Sequence, residues 1–427
     1  MGRLSRKGTS MVKLCTLSIL LSFLVPAHST RSPDCGGILT PLGLSYFAEV
    51  SKPHAETVLR QDLMAPTVPE PLVGSTKPSR TQINSVKVTE LSLSLVPDSG
   101  LRLSVDVDLA ARAPVMRLSI RADLHVEMNP EGNLELVTSA CKPTVEEVQS
   151  TEEVERSILH FPSLSPPLPE HPSARFAAQF PVTPSCQLQY LPLAAPMFSE
   201  QGITISLQTT FQVAGMAIPL PVSPMPFNMP ELVSSSAAHL TLAFSEHFYT
   251  SLFFALEMAG AFNMTILSPL TTATVAPKIS QMGSLFPEDL PVVLQAVFRS
   301  SPRVVLEEGK AALKLFLTVH VGAGSPALQS FLSANDMSAG LLLSIANTRM
   351  MMSTSLWQAA LLEDLFLPTI RAEVPAQINV VLSEGVILPH ISSFTYTDVS
   401  VMIHKDYVLV PCNLQLQART GAQTTAG

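Results

Sequence analysis

Two similar α+β domains in tandem are what this 427-residue chain predicts. Three observations carry that fold class. Long stretches alternate strictly between apolar and polar residues, the period-two signature of half-buried antiparallel strands. Each half of the chain holds a helical pattern near its start and continues into such strands. Between the halves lies IPLPVSPMPFNMPEL (218–232), with five prolines in fifteen residues. Prolines that dense remove backbone donors and exclude a helix or an inner strand, while the apolar residues between them ask for cover.

The elements follow in order. LGLSYFAEVSKPHAETVLRQDL (42–63) reads as a helix, kinked or broken at Pro53. In LRLSVDVDLA (101–110), Leu101, Leu103, Val105, Val107 and Leu109 share one face, opposite Arg102, Ser104, Asp106 and Asp108. RLSIRADLHVEM (117–128) repeats the pattern, NPEG (129–132) turns it, and NLELV (133–137) returns. ITISLQTTFQV (203–213) is a further strand before the proline segment. Beyond it, FSEHFYTSLFFALEMAGAF (244–262) predicts a helix entered through Ser245 as N-cap. Strands follow at 292–298, 311–322 and 341–346, then a helix at 372–385 with Pro375 in its first turn. Residues 394–410 close the chain as a strand pair or one bent strand.

The start of the chain is different in kind. Arg3, Arg6, Lys7 and Lys13 precede LCTLSILLSFLV (14–25) and small residues, the pattern of a secretory signal peptide. The division is therefore 1–29 signal peptide, 30–217 first domain, 218–233 proline-rich connector, 234–414 second domain and 415–427 disordered tail. Removing four cations from 26 Lys and Arg leaves 22 against 34 Asp and Glu, a net charge of −12. That balance disfavours nucleic acid and anionic lipid as generic partners. With 46% hydrophobic and 14% charged residues, the chain must bury or enclose much apolar surface. Cys15 leaves with the signal; Cys35, Cys141, Cys186 and Cys412 remain, enough for two disulfides in three connectivities. Asn263-Met264-Thr265 is a glycosylation sequon.

No nucleophile elbow, HExxH, phosphate-binding glycine loop or CxxC pair appears, so catalysis, metal and cofactor chemistry find no support. Asp106 and Asp108, two apart on one face, fit a solvated surface better than a metal pair, and His125 and His320 fit solvated strand positions. Glu152-Glu153 and Glu307-Glu308 read as surface charge.

Several segments together resemble one family, the bactericidal/permeability-increasing protein, lipopolysaccharide-binding protein and palate-lung-nasal clone superfamily. PDCGGILTPLGLSYFAEVSKPHAETVLRQDL (33–63) is similar to its N-terminal helix, and INSVKVTELSLSLVPDSGLRLSVDVDL (83–109) to its first long hairpin. Residues 186–221 resemble the run into its interdomain linker, 237–266 the start of its second domain, and 383–410 its C-terminal pattern. The resemblance is strongest to the long two-domain palate-lung-nasal members. It implies a boomerang of two domains, each a strongly twisted antiparallel sheet wrapped on long helices, joined by a central sheet.

The family implies a secreted, non-enzymatic protein of mucosal defence that carries or sequesters lipids, other apolar small molecules or odorants, with peripheral membrane or bacterial-surface contact. A structural protein of mucus without a stoichiometric ligand is the alternative. Pocket walls would include Phe253, Leu256 and Leu315. The family's disulfide implies a Cys141–Cys186 bond, and a boomerang would bring Cys35 toward Cys412. Two departures stand out. The family's second cysteine sits on a long helix, yet residues 162–184 hold seven prolines, which no helix accommodates. Residues 335–371 are short for the family's strands, which predicts a reduced second sheet.

Overall fold

Strand β1 (Cys35–Leu39) is only five residues long, yet it hydrogen-bonds on both sides and joins the two halves of the chain. The computed structural model describes residues 32–64, 83–111, 116–129, 134–146, 179–219, 227–230, 237–278, 288–324, 331–360, 365–390 and 393–417. The expected signal peptide and NPEG turn therefore lie wholly or almost wholly outside the described residues, as do Glu152-Glu153 and most of the expected tail.

Helix α1 (Pro41–Met64) follows β1 at once and runs on through Pro53. The expected break is absent: Thr57 donates its hydroxyl to the Pro53 carbonyl at 2.8 Å. A four-stranded antiparallel sheet comes next, β2 (Ile83–Val96), β3 (Gly100–Ala111), β4 (Met116–Met128) and β5 (Leu134–Glu146), in chain order. The first half ends with β6 (Gln179–Thr183), β7 (Cys186–Pro192), β8 (Met197–Ser199), β9 (Gly202–Val213) and β10 (Met216–Ala217). Strand β6 runs inside the second proline cluster; Pro181 is tolerated because β6 is an edge strand.

The second half repeats this plan. Strand β11 (Leu240–Ser245) leads directly into α2 (Glu246–Met258), capped by the Ser245 hydroxyl, which accepts from Phe248 N at 3.2 Å. Then come β12 (Met264–Thr271), the short α3 (Thr272–Val275), β13 (Pro291–Glu307), β14 (Lys310–Ala323), β15 (Phe331–Ala346) and β16 (Arg349–Ala360). Helix α4 (Leu367–Leu382) and β17 (Val386–Ile387) complete the domain, with β17 as the sixth strand of its sheet. The expected reduction of this sheet does not occur, because residues 331–360 form a full hairpin turned at Asn347 in the left-handed region (φ 55°). Pro375 lies inside α4 rather than in its first turn; Pro368 occupies the start.

Strands from both halves build the central sheet, in the order β18 (Phe394–Thr397), β20 (Tyr407–Leu416), β11, β1, β9, β7, β6, with β19 (Met402–His404) paired to β20. Around the β1–β11 pair the halves mirror each other. Each short strand feeds a helix, and each half returns a long strand, β9 or β20, to its flank.

The helices also cover sheet edges with polar side chains. On α1, Glu56 accepts from Val88 N at 3.3 Å and Arg60 donates to the Val86 carbonyl at 3.4 Å, along edge strand β2. On α2, Glu246 accepts from Leu306 N at 2.8 Å and Thr250 from Val304 N at 3.1 Å. Both helices satisfy strand groups that an additional strand would otherwise take.

Gly43 shows how closely α1 enters this junction. A Cβ there would stand 2.3 Å from the His239 carbonyl oxygen of the second half. Gly43→Ala should therefore cost about 3 kcal/mol, since backbone on both sides leaves no cheap relaxation; urea unfolding measures it. The apolar connector touches the same junction. A Cβ on Gly36 would lie 2.8 Å from the Met229 sulfur, so Met229 crosses the face of β1.

Candidate functional site

Alternation gives the first sheet one apolar face, and strand register fixes who sits beside whom. Across β2 to β5 the apolar rows are Val88–Val107–Leu118, Leu91–Val105–Ile120, Leu93–Leu103–Ala122–Cys141 and Leu95–Leu101–Leu124, the last ending opposite exposed Thr138. Helix α1 covers one end, where Ala48, Ala55 and Leu59 pack with Val86, Val88, Val107 and Leu109. Beyond its fully buried centre at Val107 the face is only partly sealed. Leu93, Leu103 and Ile120 are half-buried at the rim of the α1 cluster, Leu93 and Val126 also lean on Leu44, Phe198 and Ile203, and Leu124 and Cys141 are half-buried beside them. Six apolar side chains of graded exposure on one rigid face form a surface that could receive apolar matter.

The corresponding face of the second sheet is closed. From β14, Leu313, Leu315, Leu317 and Val319 are buried in one core cluster with Leu252, Phe253 and Leu256 of α2 and Ile370, Val374 and Ile378 of α4. Phe253, Leu256 and Leu315 are thus packed on all sides, with Phe253 against Phe262 at a centroid distance of 6.1 Å. They fill the core rather than offer a wall. Phe253→Ala should cost about 4 kcal/mol by leaving a cavity among these side chains; thermal or urea unfolding checks it.

The opposite face of the first sheet is a charge ladder. Arg102 pairs with Asp123 at 2.8 Å and Arg117 with Asp108 at 3.3 Å, while Ser119 donates to Asp106 at 2.7 Å. Asp106 and Asp108 are engaged by these partners and do not converge on a common point. His125 meets Glu127 at 2.9 Å, and His320 lies on the outer face of β14 opposite Gln295. Glu308 meets His404 at 3.1 Å. Among the described residues, no three His, Cys, Asp or Glu side chains form a metal-binding group.

Among the described residues Cys35, Cys141, Cys186 and Cys412 are free thiols, so neither expected pairing is formed in this structure. Cys35 faces Phe244 on β11, which faces Val408 on β20, and Cys412 lies four residues further along. Two strand spacings of about 4.8 Å plus four residues of rise separate them, well past the about 7 Å that a disulfide spans between Cα atoms. Cys141 and Cys186 stand on different sheets. Asn263 is exposed at the entry to β12.

Comparison with known proteins fits this architecture. No family model matches the chain. Protein TENP of Gallus gallus is 58% identical over 439 residues, covering 94% of this chain and 99% of that protein. BPI fold-containing family B member 2 of Mus musculus is 24% identical, covering 95% and 100%. The crystal structure of lipopolysaccharide binding protein superposes with a TM-score of 0.51 at 16% identity, over 91% of this chain and all of that one. The chain belongs to the BPI fold superfamily.

In this BPI-fold chain the central sheet carries a feature that the sequence did not disclose. Asp34 is buried at 2% exposure, just before β1. Its Oδ1 accepts from Thr209 N at 2.9 Å and from the Thr209 hydroxyl at 3.0 Å, while Oδ2 has no hydrogen-bond partner. Its carbonyl accepts from Ser245 N at 2.8 Å, tying it to the start of α2. Burial pushes this carboxyl up to about 7, against the Thr209 N–H, which pulls it down. The neighbouring Cys35, Tyr190 and Tyr249 are raised well above their ordinary values, again chiefly by burial, so they stay neutral. The Thr209 partner lies 175 residues away in sequence, and no local pattern announces it.

Tyr46 and Phe47 of α1 also sit at this junction. Tyr46 stacks on His239 at 4.7 Å and accepts from Leu416 N at 3.1 Å, and Phe47 meets Phe394 edge-on at 4.7 Å. Each half thus lends strands and rings to the other's core.

Proposed function

We propose that the chain is a secreted binding protein that takes a lipid acyl chain, or an odorant-like apolar molecule, on the inner face of its first sheet. It would carry or sequester that ligand at a mucosal surface rather than transform it. One observation carries the reading: the inner face of the first sheet ends in half-buried side chains, Leu103, Ile120, Leu124 and Cys141 among them, that its own clusters cover only in part, while the equivalent face of the second sheet is fully buried. The lipopolysaccharide binding protein, whose name states a lipid ligand, shares the fold. The basic, apolar start of the chain at residues 3–25 supports export.

The driving force would be burial. An acyl ligand that removes about 300 Å² of apolar surface from water gains about 7 kcal/mol, less the cost of immobilising it. A net charge of −12 without residues 1–29 disfavours anionic lipid surfaces, while a single ligand carboxylate can stay in water at the rim of the face.

Native mass spectrometry of the protein from two different expression hosts tests this. A stoichiometric mass excess, identified as acyl lipid after solvent extraction, is the expected result. A bare chain from both hosts, which also fails to take up added phosphatidylcholine or fatty acid, would instead support an interaction protein of mucus.

A further inference from the structure

We propose that Asn263 carries an N-linked glycan whose task is to cover the outer edge of the second sheet. The inference rests on the secretion reading above, because glycan transfer needs the secretory lumen. The Asn263-Met264-Thr265 sequon alone is a weak signal, but its place in the fold is specific. Asn263, Thr265, Leu267 and Pro269 are all exposed and alternate with buried Met264, Ile266 and Ser268. The acceptor amide, the sequon hydroxyl and Leu267 therefore share one face of β12. Leu267 is 73% exposed, the largest exposure of any large hydrophobic side chain described.

Strand β12 ends the six-stranded sheet, pairing with β13 on one side and with no strand on the other among the described residues. On the same outer face stand Val293, opposite Leu267, and Val297, 43% exposed. An edge strand with such a face is a template for pairing with another chain, and natural proteins blunt such edges with charge, proline or cover. Residues 263–271 contain no charged residue at all. Pro269 and the register shift between Leu267 and Thr271 blunt only the far end of the strand; a hydrated glycan at its start guards the part they leave open.

Asn263 follows the turn at Gly260, whose φ of 73° favours glycine, and a Cβ at Gly260 would stand 3.2 Å from the Asn263 amide nitrogen. In the transfer, Asn263 Nδ2 gives up one proton and bonds to the anomeric carbon of an N-acetylglucosamine. The sugar–phosphate bond of a polyprenyl-diphosphate oligosaccharide breaks, and the diphosphate leaves with the electron pair.

The test expresses the full chain in cultured animal cells and analyses medium and lysate separately. Secreted protein should lose mass on treatment with peptide N-glycosidase, with aspartate appearing at position 263 in the mapped peptide. Asn263→Gln and Thr265→Ala should each abolish that shift. On size exclusion, secreted Asn263→Gln should show larger species absent from the parent, and adding Leu267→Lys should remove them. Secreted chain with unmodified Asn263 overturns the glycan and leaves secretion standing. Chain confined to the lysate with Asn263 unmodified overturns both. A modified chain whose deglycosylation and Asn263→Gln variant leave association unchanged overturns the edge-guard role.

Discussion

Asp34→Asn will stabilise the folded protein at pH 8, by about 4 kcal/mol less about 1–3 kcal/mol for an Nδ2 placed where Oδ2 has no partner, and will flatten its pH profile between pH 4 and pH 7. The carboxyl is raised from 3.8 to about 7 by burial, and at 1.36 kcal/mol per pH unit that amounts to about 4 kcal/mol. The sign follows from which state holds the proton. The folded chain keeps Asp34 protonated to a higher pH than the unfolded chain does. Its full contribution is present below pH 4, declines as pH rises, and is gone once pH passes about 7. Asparagine keeps an oxygen for Thr209 N and the Thr209 hydroxyl and never ionises. Urea unfolding of parent and variant at pH 4, 6 and 8 measures the effect. Parallel profiles would show that Asp34 stays ionised or solvated in the folded state. Acidification should thus tighten the seam where β1, β9 and α2 meet.

Leu103→Glu will weaken binding of a fluorescent polyene fatty acid by about a hundredfold while the protein stays folded. Leu103 occupies the middle of the row Leu93–Leu103–Ala122–Cys141 and is half-buried. A carboxylate there can reach water in the free protein, but a seated acyl chain would strip that water away at a cost of about 3 kcal/mol. Arg102→Leu, on the opposite face of the same strand, should leave binding unchanged and serves as the control. Equal affinity for Leu103→Glu and parent would place the ligand elsewhere.

Much of this surface was legible in the sequence, and the reason is physical. In 101–109 and 117–126 one face is buried and the other solvated, so polarity alternates and fixes both strand and face. The Ser245 cap was legible because a cap is a local contact. Elements buried on both faces were not. Strands β1 and β11 are short apolar runs, and periodicity cannot separate such runs from helix. Strand β16, RMMMSTSLWQAA, carries no charged residue after Arg349 to mark its outer face, so the second sheet looked shorter than it is. Proline misled twice in the helices: α1 runs through Pro53, and α4 starts at Leu367, eight residues before Pro375. Tertiary packing holds both helices together where propensity alone would end them.

Whether the ligand sits on the first sheet can be asked at a single atom. Cys35, Cys186 and Cys412 are fully buried, and burial raises their thiols, with Cys186 up to about 11 and Cys412 up to about 12. Thiols so placed react slowly. Cys141, half-buried on the inner face of β5, should therefore be the one thiol that an aromatic disulfide reagent modifies in the native protein. The decisive measurement is its modification rate with and without saturating fatty acid. A rate at least about tenfold slower with ligand bound is expected, since the acyl chain would lie across the Leu103–Ala122–Cys141 row. An unchanged rate, with binding verified in the same sample, would contradict the assignment of this face as the site.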